Sequence, residues 1–163
     1  MQKISQEIIV IPAKPEDILG MQKVFYDTWL ATYPNREHGI TKEDLEESFK
    51  DAFTDETIQK RAEQLEQLPE NIKMFVAKDG LKIIGVCRVT LRENCNQLQA
   101  IYVLPEYQGR GIGKMFWKEA QKVFDPKRKT IVETATYNTN AIRFYKNWVL
   151  KIPESASRRN GFE

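Results

Sequence analysis

The spacing of apolar residues along the N-terminal part of the chain predicts one strand followed by helices. The short β-branched run Ile8–Ile11 has the composition of a strand. Apolar residues then recur at helical spacing over Ile18–Leu30. A second helical stretch is predicted over Thr41–Leu68, because Thr41 is a good N-cap residue, with a break expected near residues 53–55. Its thin apolar stripe places this stretch on the surface.

Strands dominate the middle of the chain. The segments Lys73–Lys78, Leu81–Leu91 and Gln97–Val103 are predicted strands. Asp79-Gly80 joins the first two as a tight hairpin turn, because glycine tolerates a positive φ angle. Residues 92–96 form a second short turn. Short connections of this kind predict an antiparallel meander of the three strands.

The C-terminal part returns to alternating helices and strands. It predicts a helix over Gly111–Phe124, a strand over Lys129–Thr136, a helix over Asn138–Asn147 and a short final strand over Trp148–Ile152. Residues 1–163 are therefore predicted to form a single α/β (α+β mixed) domain. Its central mixed sheet is expected to have about six strands, flanked by about four helices.

Composition narrows the class of protein. With 41% hydrophobic and 29% charged residues, the chain has an ordinary globular composition. A net charge of +2 does not favour a nucleic-acid surface. No apolar run approaches ~20 residues, so no membrane span is predicted. Cys87 and Cys95 lack metal spacing and favour a reduced thiol pair in the cytoplasm. The single histidine, His38, excludes a multi-histidine site, and no metal is predicted.

The loop Gln108–Gly113 carries the clearest chemical signal. It contains three alternating glycines between a strand that stops at Pro105 and the start of a helix. Arg110 and Lys114 flank the glycines. Glycines let backbone N–H groups approach an anion closely, and a helix N-terminus adds unsatisfied donors and positive potential. The loop therefore has what a pyrophosphate requires.

Spacing decides which phosphate site this loop resembles. The dinucleotide pattern G-x-G-x-x-G fails because position 114 is Lys, and the P-loop pattern fails because position 108 is Gln and position 115 is Met. The pattern that matches is Q/R-x-x-G-x-G/A. A plain strand-to-helix turn would not require three alternating glycines with flanking cations.

At this point the chain resembles the GNAT superfamily of N-acetyltransferases. The loop Gln108-Gly-Arg-Gly-Ile-Gly113 is similar to the family motif, as is the strand with Tyr102-Val-Leu-Pro105 before it. Asn138-Thr-Asn-Ala-Ile-Arg-Phe-Tyr145 resembles the family pattern N-x-x-A-x-x-F-Y, and Ile11–Ile18 resembles the opening strand and helix. The resemblance covers most of residues 8–150.

The resemblance implies that acetyl-coenzyme A lies in a V-shaped opening between the fourth and fifth strands. The backbone of the fourth strand would pair with the pantetheine amides, the glycine loop would hold the pyrophosphate, and the two asparagines would lie near the pantetheine arm. The cofactor-binding residues that it implies are Ile101, Tyr102, Val103, Gln108, Gly109, Arg110, Gly111, Ile112, Gly113, Lys114, Asn138 and Asn140.

The resemblance also suggests catalytic groups. Tyr145 matches a tyrosine that often serves as general acid, and its phenol could protonate the departing thiolate. Many relatives use a glutamate on the fourth strand as base, but this chain has Gln97 and Gln99 there. Glu133 is the nearest charged candidate, and a solvent-facing role for it or a water held by backbone carbonyls are alternatives.

The acceptor would be a primary amine of a small molecule or a protein. Trp29, Tyr33 and His38 lie in or beside the loop between the first two helices and are candidate acceptor-binding residues. For Trp29, a place in the helix core is the alternative. A different function is also open, that of a catalytically weak acyl-CoA-binding sensor.

The C-terminal end departs from the family pattern. Val149-Leu150 stands where relatives have Gly-Phe, and residues 153–163 are not strand-like, so the seventh strand of the family fold is expected to be missing. A partner chain could fill its place and form a homodimer, or the sheet could be shorter.

Overall fold

The computed structural model describes residues 7–147 and contains five strands and five α-helices. The strands are β1 (Ile8–Pro12), β2 (Ile72–Asp79), β3 (Lys82–Leu91), β4 (Asn96–Val103) and β5 (Thr130–Val132). The helices are α1 (Ile18–Thr32), α2 (Lys42–Ser48), α3 (Asp55–Glu66), α4 (Ile112–Val123) and α5 (Thr139–Asn147). Short 3-10 helices cover Pro15–Asp17, Arg36–His38 and Pro105–Tyr107.

The strands form one mixed sheet in sequence order, β1 to β5. Neighbours from β1 to β4 are antiparallel, which confirms the predicted meander. β5 is parallel to β4 and pairs with it only over Asn96–Leu98. The predicted mixed α/β fold is thus confirmed, while the predicted sixth strand, Trp148–Ile152, and the question of a seventh lie outside the described residues.

The fifth strand is shorter than the prediction over Lys129–Thr136. It ends at Val132, the last residue with a partner on β4, and Glu133 follows the strand instead of lying in it. A strand lasts only as far as it has a neighbour to bond, and β4 provides none beyond Leu98 on this side within residues 7–147.

The expected break in the second helical stretch is present and raises the helix count from about four to five. α2 begins after Thr41, whose hydroxyl accepts a hydrogen bond from Asp44 N at 3.0 Å. Thr54 caps α3 in the same way, accepting from Thr57 N at 3.2 Å. Two N-caps in one stretch define two helices, because each satisfies backbone N–H groups at a separate start.

Helices cover both faces of the sheet. Tyr102 on β4 packs against Phe25 of α1, with ring centroids 5.6 Å apart. Gly85 lies one residue from the β3 position opposite Tyr102, so it points to the other face. There a Cβ atom on Gly85 would be 2.9 Å from the Phe116 ring of α4. The core therefore lies in two layers, one under α1 and one under α4. No helix within residues 7–147 combines the length and apolar character needed to cross a membrane.

A buried ion pair fixes the start of α1 to the sheet. The Asp17 carboxylate is 4% exposed, accepts from Lys14 N at 2.9 Å and lies 2.6 Å from Lys78 Nζ. Removing one partner of such a pair leaves an uncompensated charge away from water, which is strongly destabilising.

We expect Asp17→Ala to lower the free energy of unfolding by about 3 kcal/mol, because it strands the Lys78 ammonium and frees the Lys14 N–H. Urea denaturation measures the loss. The matched control is Glu46→Ala, which removes an exposed pair with Lys42 on α2 and should change stability by less than about 0.5 kcal/mol. Equal losses in the two variants would show that the Asp17 pair does not fix α1.

Candidate functional site

A cleft of about 820 Å³ opens where β4 and β5 separate. Its sides are the second half of β4, the loop that precedes α4, the residues that follow β5, and one side of α5. The C-terminal end of α1 closes one end. The resemblance implied an opening between the fourth and fifth strands, and the sheet has one there.

A β-bulge at Gln99 produces the separation. Arg88 of β3 is opposite Ala100, and Val89 is opposite Leu98, so Gln99 is an extra residue on β4. Its side chain is fixed, because Thr90 Oγ1 donates to Gln99 Oε1 at 2.6 Å. A bulge bends its strand and increases the local twist. The bend comes directly after the last β4–β5 pair, so the rest of β4 presents its edge to the cleft.

Beyond Leu98, the edge of β4 that faces the cleft has no neighbouring strand among residues 7–147. Leu104 N donates to Ile84 O at 2.9 Å, which makes these two residues a hydrogen-bonded pair. Such pairs alternate along antiparallel strands, so the N–H and C=O of Val103 and Ile101 point away from β3, while those of Tyr102 point toward it. Ile101 and Val103 thus offer backbone groups to the cleft, whereas Tyr102 contributes its side chain.

The glycine loop turns the chain from β4 into α4. Gly109 and Gly111 have φ angles of 76° and 83°, a region that favours glycine. Gln108 Nε2 donates to Val103 O at 3.0 Å and ties the loop to the end of β4. The first N–H groups of α4, which begins at Ile112, have no carbonyl partner within the helix. The helix N-terminus therefore directs donors and positive potential at the cleft.

The third glycine has a different role from the first two. Gly113 lies inside α4 with ordinary helical geometry, and a Cβ atom there would be 3.0 Å from two carbons of the Phe144 ring on α5. Gly113 therefore permits close packing of α4 against α5. The approach of these two helices brings the N-terminus of one and the aromatic side chains of the other to the same cleft.

The two cations of the loop differ in direction. Lys114 lines the cleft, whereas Arg110 is not among the described lining residues. The Arg110 guanidinium donates to Glu106 O at 2.9 Å and lies 4.9 Å from the centre of the Tyr107 ring. Tyr107 in turn donates to Asp79 Oδ2 at 2.8 Å, which fastens the loop to the β2–β3 hairpin. Tyr107 was not predicted as a site residue, although an aromatic residue directly before Gln108 was a visible signal.

Tyr145 of α5 lines the cleft and is 5% exposed. Burial raises the pKa of its phenol, and the nearby ionisable groups of Cys87 and Tyr102 raise it further. A raised pKa keeps a phenol protonated, so at neutral pH the Tyr145 hydroxyl can donate a hydrogen bond. Glu133 also lines the cleft, as the exposed residue that follows β5.

The two asparagines of the sequence motif lie at the start of α5. Both Asn138 and Asn140 line the cleft. Asn138 Oδ1 accepts from Ala141 N at 3.2 Å and so caps the helix. The cap fixes the first turn of α5 and thereby the direction of Tyr145 two turns later. Asn140 is exposed, and its side chain is accessible from the cleft.

The three candidate acceptor residues occupy different positions. Tyr33 lines the cleft and is 9% exposed. Trp29 packs edge-to-face behind it, with ring centroids 5.2 Å apart, and is not among the described lining residues. His38 is also outside the lining, but its ring stacks on Tyr137 at 5.0 Å. Tyr137, which lines the cleft, was missed from the sequence although it directly precedes Asn138.

Both glutamines at the position of the family glutamate form hydrogen bonds with other side chains of the protein. Gln97 is buried and accepts from Arg92 Nε at 2.6 Å through its side-chain oxygen. Gln99 is held by Thr90 at the bulge. Both side chains therefore stabilise the end of the β3–β4 hairpin, and Glu133 is the one carboxylate among the described residues that line the cleft.

Fold and cleft together define an α/β protein whose candidate site lies at the opening of its sheet. Residues 40–148 match the acetyltransferase (GNAT) family. The chain therefore belongs to this family, which confirms the resemblance seen in the sequence. A protein of Bacillus subtilis strain 168, the uncharacterized protein YrkN, is 25% identical over 152 residues, which cover 89% of this chain and 73% of YrkN.

Solved structures share the fold. The PaiA N-acetyltransferase from Thermoplasma acidophilum, in complex with coenzyme A, superposes with a TM-score of 0.71 at 21% identity, covering 87% of this chain and 88% of its own. AAC(6')-Iy in complex with the bisubstrate analogue CoA-S-monomethyl-acetylneamine has a TM-score of 0.60 at 15% identity, covering 97% of each chain. At these identities the likeness shows the architecture.

The different roles of the glycines lead to a test. Gly113→Ala should lower the free energy of unfolding by about 1.5 kcal/mol because the new methyl group crowds the Phe144 ring. In a Phe144→Leu background the ring is gone, so the added cost of Gly113→Ala should fall below about 0.5 kcal/mol. Urea denaturation of the four proteins of this cycle measures the coupling.

Gly111→Ala is the control for this cycle. Its cost, about 1 kcal/mol, comes from the positive φ angle and not from a neighbour, because nothing lies within 4 Å of a Cβ built there. It should therefore be the same with or without Phe144→Leu. A Gly113→Ala cost that is also independent of Phe144 would contradict the packing role.

Proposed function

We propose that this chain binds acetyl-coenzyme A in the cleft and transfers the acetyl group to a primary amine of a small molecule or a protein. The observation that carries the proposal is the arrangement of one cleft. It runs from the N-terminus of α4, along the edge of β4 that has no neighbouring strand in the described part of the chain, to the buried phenol of Tyr145. An anion site, a strand edge and a proton donor follow one another in the order in which the cofactor presents its pyrophosphate, its amide arm and its thioester.

The first two parts of the cleft, the anion site at α4 and the edge of β4, suit the portion of the cofactor that does not react. N–H groups of the loop Gln108–Gly113 and of the first turn of α4 would bond the pyrophosphate, and Lys114 would add a positive charge. The backbone groups of Ile101 and the N–H of Val103 would pair with the amides of the pantetheine arm, as in the addition of a strand to a sheet edge. Two structures with this architecture, PaiA and AAC(6')-Iy, hold coenzyme A or an analogue that contains it.

The third part of the cleft, at the Tyr145 phenol, suits the transfer of the acetyl group. The amine nitrogen attacks the thioester carbonyl carbon, the C–S bond breaks, and the sulfur leaves as a thiolate unless it gains a proton. A thiol of ordinary pKa, about 8.5, leaves more easily when a donor is within reach. The protonated phenol of Tyr145 would supply that proton. Glu133, directly or through a water, would accept the proton that the amine loses.

Binding and turnover are tested separately. Titration calorimetry should show binding of coenzyme A to the purified chain, and Gly111→Ala should weaken it by about 10-fold by disturbing the loop. A thiol-release assay with acetyl-coenzyme A and a panel of primary amines then measures transfer. Binding without turnover on any amine would instead support the acyl-CoA sensor, and no binding would refute both functions.

Tyr145→Phe tests the proton donor. Removing the hydroxyl should lower kcat by about 100-fold, with little change in the KM for acetyl-coenzyme A, because the ring remains and the proton is needed only as the C–S bond breaks. Tyr26→Phe is the matched control, since Tyr26 packs on Phe49 and Phe53 away from the cleft. Its kcat should equal that of the wild type.

The raised pKa of Tyr145 predicts the alkaline side of the pH profile. Burial favours the neutral phenol, so the group should stay protonated up to at least its ordinary pKa of about 10. The kcat of the wild type should therefore show no loss from this group between about pH 7 and pH 10. A fall within that range that disappears in Tyr145→Phe would rule out Tyr145 as a proton donor of raised pKa.

A further inference from the structure

The end of the cleft nearest α1 is lined by tyrosines. Tyr33, Tyr102 and Tyr137 come from the end of α1, from β4 and from the loop before α5, and we call them the tyrosine wall. The rings of Tyr33 and Tyr137 meet edge-to-face with centroids 6.4 Å apart. A hydrogen bond between the Tyr33 and Tyr102 phenols is one cause of the raised pKa of Tyr33, after burial and the charge effect of Tyr102.

Other rings support the tyrosine wall from behind. Trp29 contacts both Tyr33 and Tyr102, at centroid distances of 5.2 and 6.4 Å. His38 stacks on Tyr137, with an angle of 25° between the planes. The wall therefore gives a bound molecule a rigid aromatic surface that costs little entropy to order. The Tyr137 hydroxyl oxygen is buried and has no hydrogen-bond partner among residues 7–147, so Tyr137 presents its ring to the cleft and not its hydroxyl.

The charges around the cleft limit which amines it can hold. Among its described lining residues, Lys114 and Arg143 are cations and Glu133 is the one carboxylate. The two cations belong to α4 and α5. Helix α2 is rich in acids, but these acidic side chains are exposed and lie outside the described lining of the cleft.

These charges disfavour a polycation. Each ammonium group that enters the cleft loses water and needs a carboxylate or several acceptors in return. A polyamine or an aminoglycoside would bring more ammonium groups than the single described carboxylate can pair. An amine with one cationic group needs one partner, and a flat body on the same molecule gains from stacking on tyrosine rings.

We propose that the acceptor is an amine with a single cationic group and an aromatic or flat apolar body, which packs on the tyrosine wall, and that Tyr137 sets this specificity. The inference rests on the proposed acetyl transfer and adds to it the class of acceptor. In the bound state the ring of the acceptor contacts Tyr137 and Tyr33, and its amine lies on the side of Glu133.

The test compares kcat/KM for four amines: phenethylamine, butylamine, spermidine and kanamycin. Phenethylamine should exceed each of the others by about 10-fold or more, since ring stacking and apolar burial add to the one ion contact. A higher kcat/KM for spermidine or kanamycin would overturn the proposed acceptor class while leaving acetyl transfer intact. Equal values for phenethylamine and butylamine would overturn the role of the wall.

Variants of Tyr137 distinguish the contribution of its ring to specificity from the contributions of the other site residues. Tyr137→Ala should lower kcat/KM for phenethylamine by about 10-fold and that for butylamine by less than about 2-fold, with unchanged affinity for coenzyme A. Tyr137→Phe keeps the ring and should retain the preference for phenethylamine. Tyr26→Ala is the control for a lost aromatic residue outside the cleft and should leave the preference as it is.

A replacement variant covers a failure to fold, and a binding measurement covers a lack of turnover. If Tyr137→Ala does not fold, as judged by its circular dichroism and coenzyme A binding, Tyr137→Leu preserves bulk and takes its place. If no amine is acetylated although coenzyme A binds, the proposed transfer fails. Calorimetry of phenethylamine and spermidine on the coenzyme A complex then decides the acceptor class. Tighter binding of spermidine, or no binding of either, would refute it.

Discussion

One extra residue in β4 determines the shape of the functional end of this protein. The bulge at Gln99 bends β4 away from β5, and without it the parallel pairing that ends at Leu98 and Val132 could continue. Continued pairing would consume the strand edge that now faces the cleft. The hydrogen bond from Thr90 holds the bulge in place, so a polar contact on the opposite side of β4 maintains the opening.

Helices α4 and α5 form further sides of the cleft that the bulge opens. α4 can start beside the open edge because two glycines with positive φ angles reverse the chain directly after β4. α5 can lie against α4 because Gly113 leaves room for Phe144, and the same helix then brings the Tyr145 phenol into the cleft. The three glycines of one short motif thus meet two separate demands, backbone conformation and helix contact. A sequence pattern alone does not distinguish these demands.

Most of the fold could be predicted from the sequence because its signals are local. The short apolar runs of β2, β3 and β4, the Asp79-Gly80 turn and the N-cap threonines each act within a few residues. The length of β5 could not be predicted in this way, because it depends on where its neighbour turns aside. The prediction of a strand to Thr136 was therefore wrong, although the residues after Val132 include residues that favour strands.

The same distinction between local signals and long-range contacts applies to the residues of the site. Loop and helix motifs pointed to the residues around the α4 N-terminus, because they lie close together in the chain. Tyr137 and Tyr107 were missed because their surroundings come from distant segments, the α1–α2 loop for one and the β2–β3 hairpin for the other. Arg110 was expected at the anion site from its place between glycines, yet its guanidinium lies over Tyr107. The direction of a long side chain depends on partners that spacing does not reveal.

The hydrogen bond from the Gln108 side chain to the Val103 carbonyl gives the open edge a fixed length. With that carbonyl occupied, the cleft-facing backbone acceptors and donors nearest the loop are the Val103 N–H and the two groups of Ile101. They span two residues, about 7 Å along the strand. For a linear ligand whose phosphates bind at α4, this fixed spacing of backbone groups determines which spacing of polar groups on the ligand can bond to the strand. In the proposed complex, an arm whose two amides match that interval would bond both ends and bring its terminal atoms level with Tyr145. Under that proposal the main chain would select the carrier molecule by length, independent of any side chain that contacts the transferred group.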